Sequence, residues 1–242
     1  MGIIDKSKGY LTDTNTYFGR HGYIFKKLWR ELKKEKHSSM SCLIIGPGLE
    51  NSLTDTSLEF TKTYQPFELA NILTRANISD YTIDILDINP DVLNELKKTP
   101  TLLNISKLHT YHREVSNDYF QSFFSNNIIK DTPQNRIIKI PENVSSKFNL
   151  QLGDITRDSL PNEKYDVVIC TVLLSHYYRE VTGELYDPIS RTLTKIENSI
   201  KSKGYLIDSE KYGPDNNWNL IAHHSVESPS IHPESTSLFR KK

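Results

Sequence analysis

Two apolar runs stop abruptly at residues that can do chemistry. Cys42-Leu43-Ile44-Ile45 runs into Gly46-Pro47-Gly48, and Tyr81 to Leu86 ends on Asp87. Glycines in a tight turn let a backbone come close to a ligand. A carboxylate closing the neighbouring strand can accept hydrogen bonds from both hydroxyls of a ribose. A buried strand, a glycine turn, a helix and a second strand ending in an acid make a nucleotide-binding half-unit. Asp87 has a plainer alternative, a cap for the helix signalled by Asn89-Pro90-Asp91.

Further polar groups follow the later apolar runs. Phe148 to Leu152 ends at Gly153-Asp154-Ile155, where Asp154 is either a ligand-binding acid or a turn residue. Tyr165 to Cys170 ends at Thr171, and His176 and Tyr177 come next, at the sheet end where a second substrate binds. Either they line an acceptor pocket, with His176 as a base, or they begin an aromatic helix packed on the core. The glycine turn has no third glycine in the dinucleotide spacing, and there is no Walker lysine. An insertion follows the turn in place of an immediate helix, so a pyrophosphate loses its usual seat. His109-x-x-His112 and His223-His224 have poor metal spacing and no nearby Cys or carboxylate cluster, so no metal is expected.

The elements that must position these groups can be read from periodicity. A helix is predicted from Tyr23 to about Lys36, with Phe25, Leu28, Trp29 and Leu32 on one face. Lys26, Lys27, Arg30, Lys33 and Lys34 fall on the other face. No aromatic is interleaved among them, which favours a solvated face over a nucleic-acid footprint. Residues 51–64 form a long Ser/Thr-rich loop, either a lid or filler. Pro66 suits the first turn of a helix that continues through Phe67, Leu69, Ala70, Ile72 and Leu73. A short helix runs from Asn89-Pro90-Asp91 through Lys98. Thr99 to Val144 is ambiguous, with an aromatic helix face around Asp118 to Phe124 and a strand at Arg136 to Ile140. A helix at Ile189 to Ser202 leads to a fifth strand, Lys203 to Asp208, after a glycine turn, and Ser237 to Arg240 reads as an edge strand. Alternating strands and helices predict an α/β fold, a parallel sheet with helices on both faces. Cys42 and Cys170 then lie on the first and fourth strands, flanking the point where strand order reverses.

The bulk numbers bound the rest. A chain of 242 residues suits one domain over 1–242, with an N-terminal helical extension over 1–38. Thirty basic and thirty acidic residues give a formal net charge of zero, so no global field draws the chain to nucleic acid or anionic lipid. Two cysteines inside apolar runs fit small buried hydrophobes in a reducing compartment. No apolar run approaches the ~18 residues of a membrane span, and Met1 to Asp13 has no signal-peptide core. These features lead us to expect a cytoplasmic protein with no membrane partner.

The glycine turn, the acid ending the second strand, Gly-Asp-Ile after the third and the apolar fourth strand together resemble the class I S-adenosylmethionine-dependent methyltransferases. The resemblance implies a Rossmann-like, mostly parallel seven-stranded sheet, with S-adenosylmethionine as cofactor. It implies that Gly46, Pro47 and Gly48 accommodate the methionine part, that Asp87 holds the ribose, and that Asp154 and Ile155 frame the adenine. A narrower likeness is to the CheR family, the chemoreceptor glutamate methyltransferases. Thr16-Tyr17-Phe18-Gly19-Arg20 looks like its Thr-x-Phe-Phe-Arg signature, and Gln65-Pro66-Phe67-Glu68-Leu69-Ala70 looks like its Glu-Pro-Tyr-Ser-Leu-Ala. Asp87-Ile88-Asn89 matches its Asp-Ile-Asn, and Asn149-Leu150 matches an Asn-Leu pair near the adenine. Asp166 to Tyr177 is similar to its strand-four segment, with Thr171-Val172 in place of Arg-Asn. Gly204-Tyr205-Leu206 through Ser209-Glu210 and Phe239-Arg240-Lys241 complete the order. On that pattern Thr16, Ile88, Asn149 and Thr171 touch the cofactor, and Glu50 binds its ammonium. Arg20 sits at the cofactor–substrate boundary, placed to pair a carboxylate; the plainer readings are an N-cap for Thr16, a surface helix-start arginine for Arg20 and a solvated loop acid for Glu50. The acceptor is open, a protein carboxylate or a small molecule, with RNA a less favoured member of the same class. The rival reading is a degenerate methyltransferase fold that binds without catalysis.

Overall fold

The structure is a computed structural model and describes residues 4–5, 10–11, 19, 21–49, 60–61, 63–106, 122–171, 187–208, 216–228 and 231–242. In chain order the strands are β1 (Ile4–Asp5), β2 (Tyr10–Leu11), β3 (Met40–Ile45), β4 (Tyr81–Asp87), β5 (Leu102–Ser106), β6 (Ile128–Asp131), β7 (Asn135–Lys139), β8 (Phe148–Leu152), β9 (Tyr165–Cys170), β10 (Ile200–Asp208), β11 (Trp218–Ser228) and β12 (Ile231–Lys241). The helices are α1 (Gly22–Lys34), α2 (Gln65–Arg75), α3 (Pro90–Leu96), α4 (Glu142–Ser145) and α5 (Asp187–Ser199).

Seven strands form one sheet in the order β11-β12-β10-β9-β3-β4-β8. The pairs β10–β9, β9–β3, β3–β4 and β4–β8 are parallel, and β12 alone runs against its neighbours. The fold is therefore the mostly parallel, Rossmann-like α/β sheet expected from the alternating pattern. The chain walks from β3 outward to β8, returns to the middle at β9, and walks the other way. The reversal lies between β3 and β9, which carry the free, buried Cys42 and Cys170.

Because side chains alternate across a strand, each face of the sheet builds its own core. On one face Cys42, Ile44, Ile83, Ile85, Val167 and Ile169 meet Phe25, Leu28 and Leu32 of α1 and Phe67, Leu69 and Ile72 of α2. On the other, Leu43, Leu86, Val168 and Leu206 meet Ile196 of α5 and Ile155. Each fully buried side chain of this kind contributes about 1.5–3 kcal/mol. The helix α3 starts where the sequence signals it, with the Asn89 carboxamide oxygen accepting from Asp91 N–H at 2.9 Å.

Three expectations are corrected. The strand at the C-terminal end is interior, not an edge: β12 pairs β10 on one side and β11 on the other. The fifth strand begins at Ile200, so the break expected at Gly204 lies inside β10, as a register shift between Ile200 and Tyr205 with Lys203 at φ 64°; an added Cβ on Gly204 would sit 2.6 Å from Ile200 Cγ2 and 3.0–3.1 Å from two backbone oxygens. Phe148 to Leu152 is a sheet edge, with Leu152 65% exposed. The ambiguous region supplies a three-stranded antiparallel sheet, β5-β7-β6, whose Leu103, Ile105 and Ile138 join the first core. Among the described residues no helix is long and apolar enough to cross a membrane.

Candidate functional site

The site is built where the strands on both sides of the reversal end. At the end of β3 the backbone bends through Gly46 (φ 62°) and Gly48 (φ 70°), conformations that cost other residues about 1–2 kcal/mol each. Gly46 N–H still reaches Leu86 O of β4 at 2.9 Å, so the bend begins with the ladder intact. Its far side is pinned by Thr63, whose hydroxyl donates to Gly48 O at 3.0 Å. Pro47 and Gly48 are buried and Gly46 is half-buried.

Asp87 ends β4 beside this bend. Its carboxylate accepts from Asn89 N–H at 2.8 Å, and the nearby backbone N–H groups of Gly48 and Ile88 favour its charged form. The acid therefore lies within the electrostatic reach of the bend. Burial pushes the Asp87 carboxyl up to about 6, and the three N–H donors offset only part of that. By taking Asn89 N–H, Asp87 orders the chain ahead of α3, as the plainer of its two sequence readings expects.

Across the reversal, Thr171 follows β9 and is buried. Its hydroxyl accepts from Gln65 Nε2 at 2.9 Å. Gln65 opens α2 and is 3% exposed, yet its Oε1 has no hydrogen-bond partner among the described residues. A buried amide oxygen left unpaired costs about 1–3 kcal/mol, so it calls for a donor from a ligand. The sequence reading treated Gln65 only as part of a helix start; a polar residue immediately before the Pro of α2 was the signal available for it.

The loop after β8 continues the same end of the sheet, because Gly153 N–H donates to Asp87 O at 3.0 Å. Asp154 forms its own turn here: Oδ1 accepts from Thr156 N–H at 2.9 Å and from its hydroxyl at 2.7 Å. Ile155 is buried against Leu86. Lys195 of α5 clamps this loop from below, donating to the carbonyls of Ile155 at 2.8 Å and Asp158 at 2.5 Å. Lys195→Met is expected to loosen the loop while costing only about 1–2 kcal/mol of stability; hydrogen exchange at residues 154–158 should speed up by tenfold or more. Unchanged exchange there would show that the lysine does not hold the loop.

Asn149 is placed elsewhere. It pairs with Asp84, three residues back from Asp87 along β4, and its amide donates to Asp84 Oδ1 at 2.8 Å. That carboxylate also receives Lys164 Nζ at 2.6 Å and Tyr165 OH at 2.9 Å. Asn149 thus serves the ion pair at the buried Asp84 carboxylate and is not brought to the bend. The structure brings together Gly46, Pro47, Gly48, Asp87 and Ile88, sets Thr171 across the reversal, and flanks them with Asp154 and Ile155. Thr16, Arg20, Glu50, His176, Tyr177 and most of the 51–64 loop lie outside the described residues. The two residues flanking Arg20 are both anchored: Gly19 N–H donates to buried Glu68 Oε1 at 3.0 Å, and His21 Nδ1 lies 3.0 Å from Thr236 Oγ1.

No protein-family model and no curated protein matches this chain. Solved structures are similar at low identity. An S-adenosylmethionine-dependent methyltransferase from Methanosarcina mazei is 10% identical, with 94% of this chain and 99% of that one covered and a TM-score of 0.43. TrmK of M. capricolum, in complex with S-adenosylhomocysteine, is 12% identical over 88% of this chain and 67% of its own, with a TM-score of 0.39. An S-adenosylmethionine-dependent methyltransferase from Mesorhizobium loti is 11% identical with a TM-score of 0.33; the chain spans about half of it, 52%, from 76% of its own length. Resemblance this distant identifies no activity.

Proposed function

We propose that the chain is an S-adenosylmethionine-dependent methyltransferase. The observation that carries this reading is the buried Asp87 carboxylate at the end of β4, set beside the Gly46–Gly48 bend and next to the strand-order reversal, where sheets of this kind bind ligands. The donor set of the cofactor suits the acceptors present. Two ribose hydroxyls, an ammonium and an adenine amine need oxygen acceptors, and the site offers the Asp87 carboxylate and the unpaired Gln65 Oε1.

When bound, the cofactor would supply a methyl group already activated by the positive charge on its sulfur. This chain's residues then have to hold, align and exclude water. Asp87 would take the ribose, Gly46 to Gly48 would pass close to the methionine part, and Gln65 would accept from a donor near Thr171. Asp154 and Ile155 would flank the adenine. Arg20 would pair an acceptor carboxylate, and His176 or Tyr177 would line the acceptor side. An ionised carboxylate acceptor needs no base, whereas a hydroxyl or amine would call on His176. The CheR-type reading, with a protein carboxylate as acceptor, is the finer form of this proposal.

Titration calorimetry with S-adenosylhomocysteine tests it. Micromolar binding that NAD does not displace is the expected result. No heat up to millimolar ligand would remove the cofactor reading, and displacement by NAD would replace it with a nicotinamide site. Binding without methyl transfer to any carboxylate, amine or RNA acceptor would favour the degenerate, non-catalytic fold.

A further inference from the structure

The basic face of α1 is less bland than its sequence. A groove of about 450 Å³ runs between this helix and β11, lined by Lys27, Trp29, Arg30, Glu31, Lys33, Lys34 and Ile221. Two cations are laid over aromatic rings: Lys27 Nζ is 5.2 Å from the Tyr23 ring centre, and Lys33 Nζ is 5.3 Å from that of Trp29. Arg75 of α2 reaches the same Trp29 ring at 4.7 Å. Tyr23, which is 39% exposed, stacks on His224 of β11 with ring centres 4.9 Å apart. Aromatics are therefore interleaved with the cations, Tyr23 and Trp29 supplied by the helix and the His224 ring by the neighbouring strand.

The charges here are also unbalanced. Lys34 pairs with Glu31. Lys27, Arg30, Lys33 and Arg75 have no carboxylate partner among the described residues. In a chain of formal net charge zero, four unneutralised cations around one groove are a local excess that an anion must match. The groove also has a direction. His21 at the start of α1 contacts Thr236, next to Ser237, which pairs with Asp208 where β10 ends. Glu35 beyond the other end of the helix pairs with Arg240, opposite Tyr205 near the far edge of the sheet. At 1.5 Å per residue, the row Tyr23, Lys27, Arg30 and Lys34 leads about 16 Å away from the strand ends that carry the candidate site.

We propose that this groove binds a single-stranded polynucleotide, its phosphates on Lys27, Arg30, Lys33 and Arg75 and its bases against the Tyr23–His224 and Trp29 surfaces. A strip of cations backed by aromatic rings is the general chemistry of single-strand recognition. The groove is too small for a duplex, and an acidic peptide would gain nothing from the rings. The proposal stands independently of the cofactor reading, since it needs only this surface.

The test is fluorescence anisotropy of a labelled twelve-nucleotide oligouridylate titrated with the whole protein. We expect micromolar binding at low salt that weakens with a log–log slope of about −2 to −3, as release of three or four phosphate counterions from a single strand requires. The double charge reversal Arg30→Glu, Lys33→Glu should weaken binding at least tenfold and flatten the slope by about 1. Both side chains are outside the candidate cofactor site, so S-adenosylhomocysteine affinity should stay unchanged in the same protein. No binding up to about 100 µM, equal binding of the charge-reversed protein, equal affinity for a duplex, or equal affinity for polyglutamate would each overturn the proposal.

Discussion

Asp87→Asn is expected to lose affinity for S-adenosylhomocysteine by on the order of 100-fold and to be more stable than the parent at pH 8. The two effects have one cause. Burial raises the Asp87 carboxyl from 3.8 to about 6, so ionising it in the folded chain costs up to about 3 kcal/mol relative to the unfolded chain. The folded value lies above the unfolded one. The stability associated with this group is therefore fully present below pH 3.8 and lost as pH rises toward and through 6. Asparagine carries no charge and escapes that loss, although an amide facing the N–H donors of Gly48, Ile88 and Asn89 takes back about 1 kcal/mol. Thermal unfolding should show the variant gaining on the parent between pH 5 and pH 8. Binding should move the other way, because two ribose hydroxyls lose a charged acceptor. Parent affinity should likewise fall as the carboxylate protonates below pH 6. A residue that lowers stability in its working charge state and raises affinity fits a binding site better than a core. Undiminished binding by the variant, or a stability gap that does not widen with pH, would contradict this account.

The legible part of the fold was the part written in local pattern. β3 and β9 are continuous apolar runs because both faces of a central parallel strand are covered, and α1 shows its buried Ile24, Phe25, Leu28 and Leu32 at helical spacing. The glycine bend and Asp87 were readable because they sit where such runs stop. The long β11–β12 hairpin was not, because its inner strand buries the short run Thr236 to Leu238 and its polar flanks read as a tail. The β5-β7-β6 sheet depends on pairing Leu102 with Lys139, a contact no local period encodes. In the site, Gln65 escaped notice because its meaning lies in an unpaired oxygen, which only packing reveals. Asn149 illustrates the converse: a motif match gave it a cofactor role, while the parallel register delivers its amide to Asp84.

That register sets up the second large effect. Asp84 and Asp87 lie on one strand, three residues apart, so their side chains leave opposite faces of the sheet. Burial would raise Asp84 as well, but hydrogen bonds from Lys164, Asn149 and Tyr165, together with the Lys164 charge, outweigh it and hold the carboxyl below its ordinary value. Asp84→Ala should cost about 1–3 kcal/mol at pH 7, chiefly because it strands the buried Tyr165 hydroxyl, while water re-solvates the exposed Lys164 and Asn149. Asp84→Asn should cost less, since it keeps an acceptor. For this group the sign is the reverse of that at Asp87. Its stabilisation is present above pH 3.8 and is lost as pH falls through the lowered folded value. The gap between parent and Asp84→Asn in urea unfolding should therefore be full at pH 7 and shrink below pH 4. Once folded, either variant should keep S-adenosylhomocysteine affinity within about threefold of the parent, because none of the Asp84 partners reaches the glycine bend. A loss of affinity as deep as that of Asp87→Asn would mean that the two acids act as one unit, and the division of labour between them would fall.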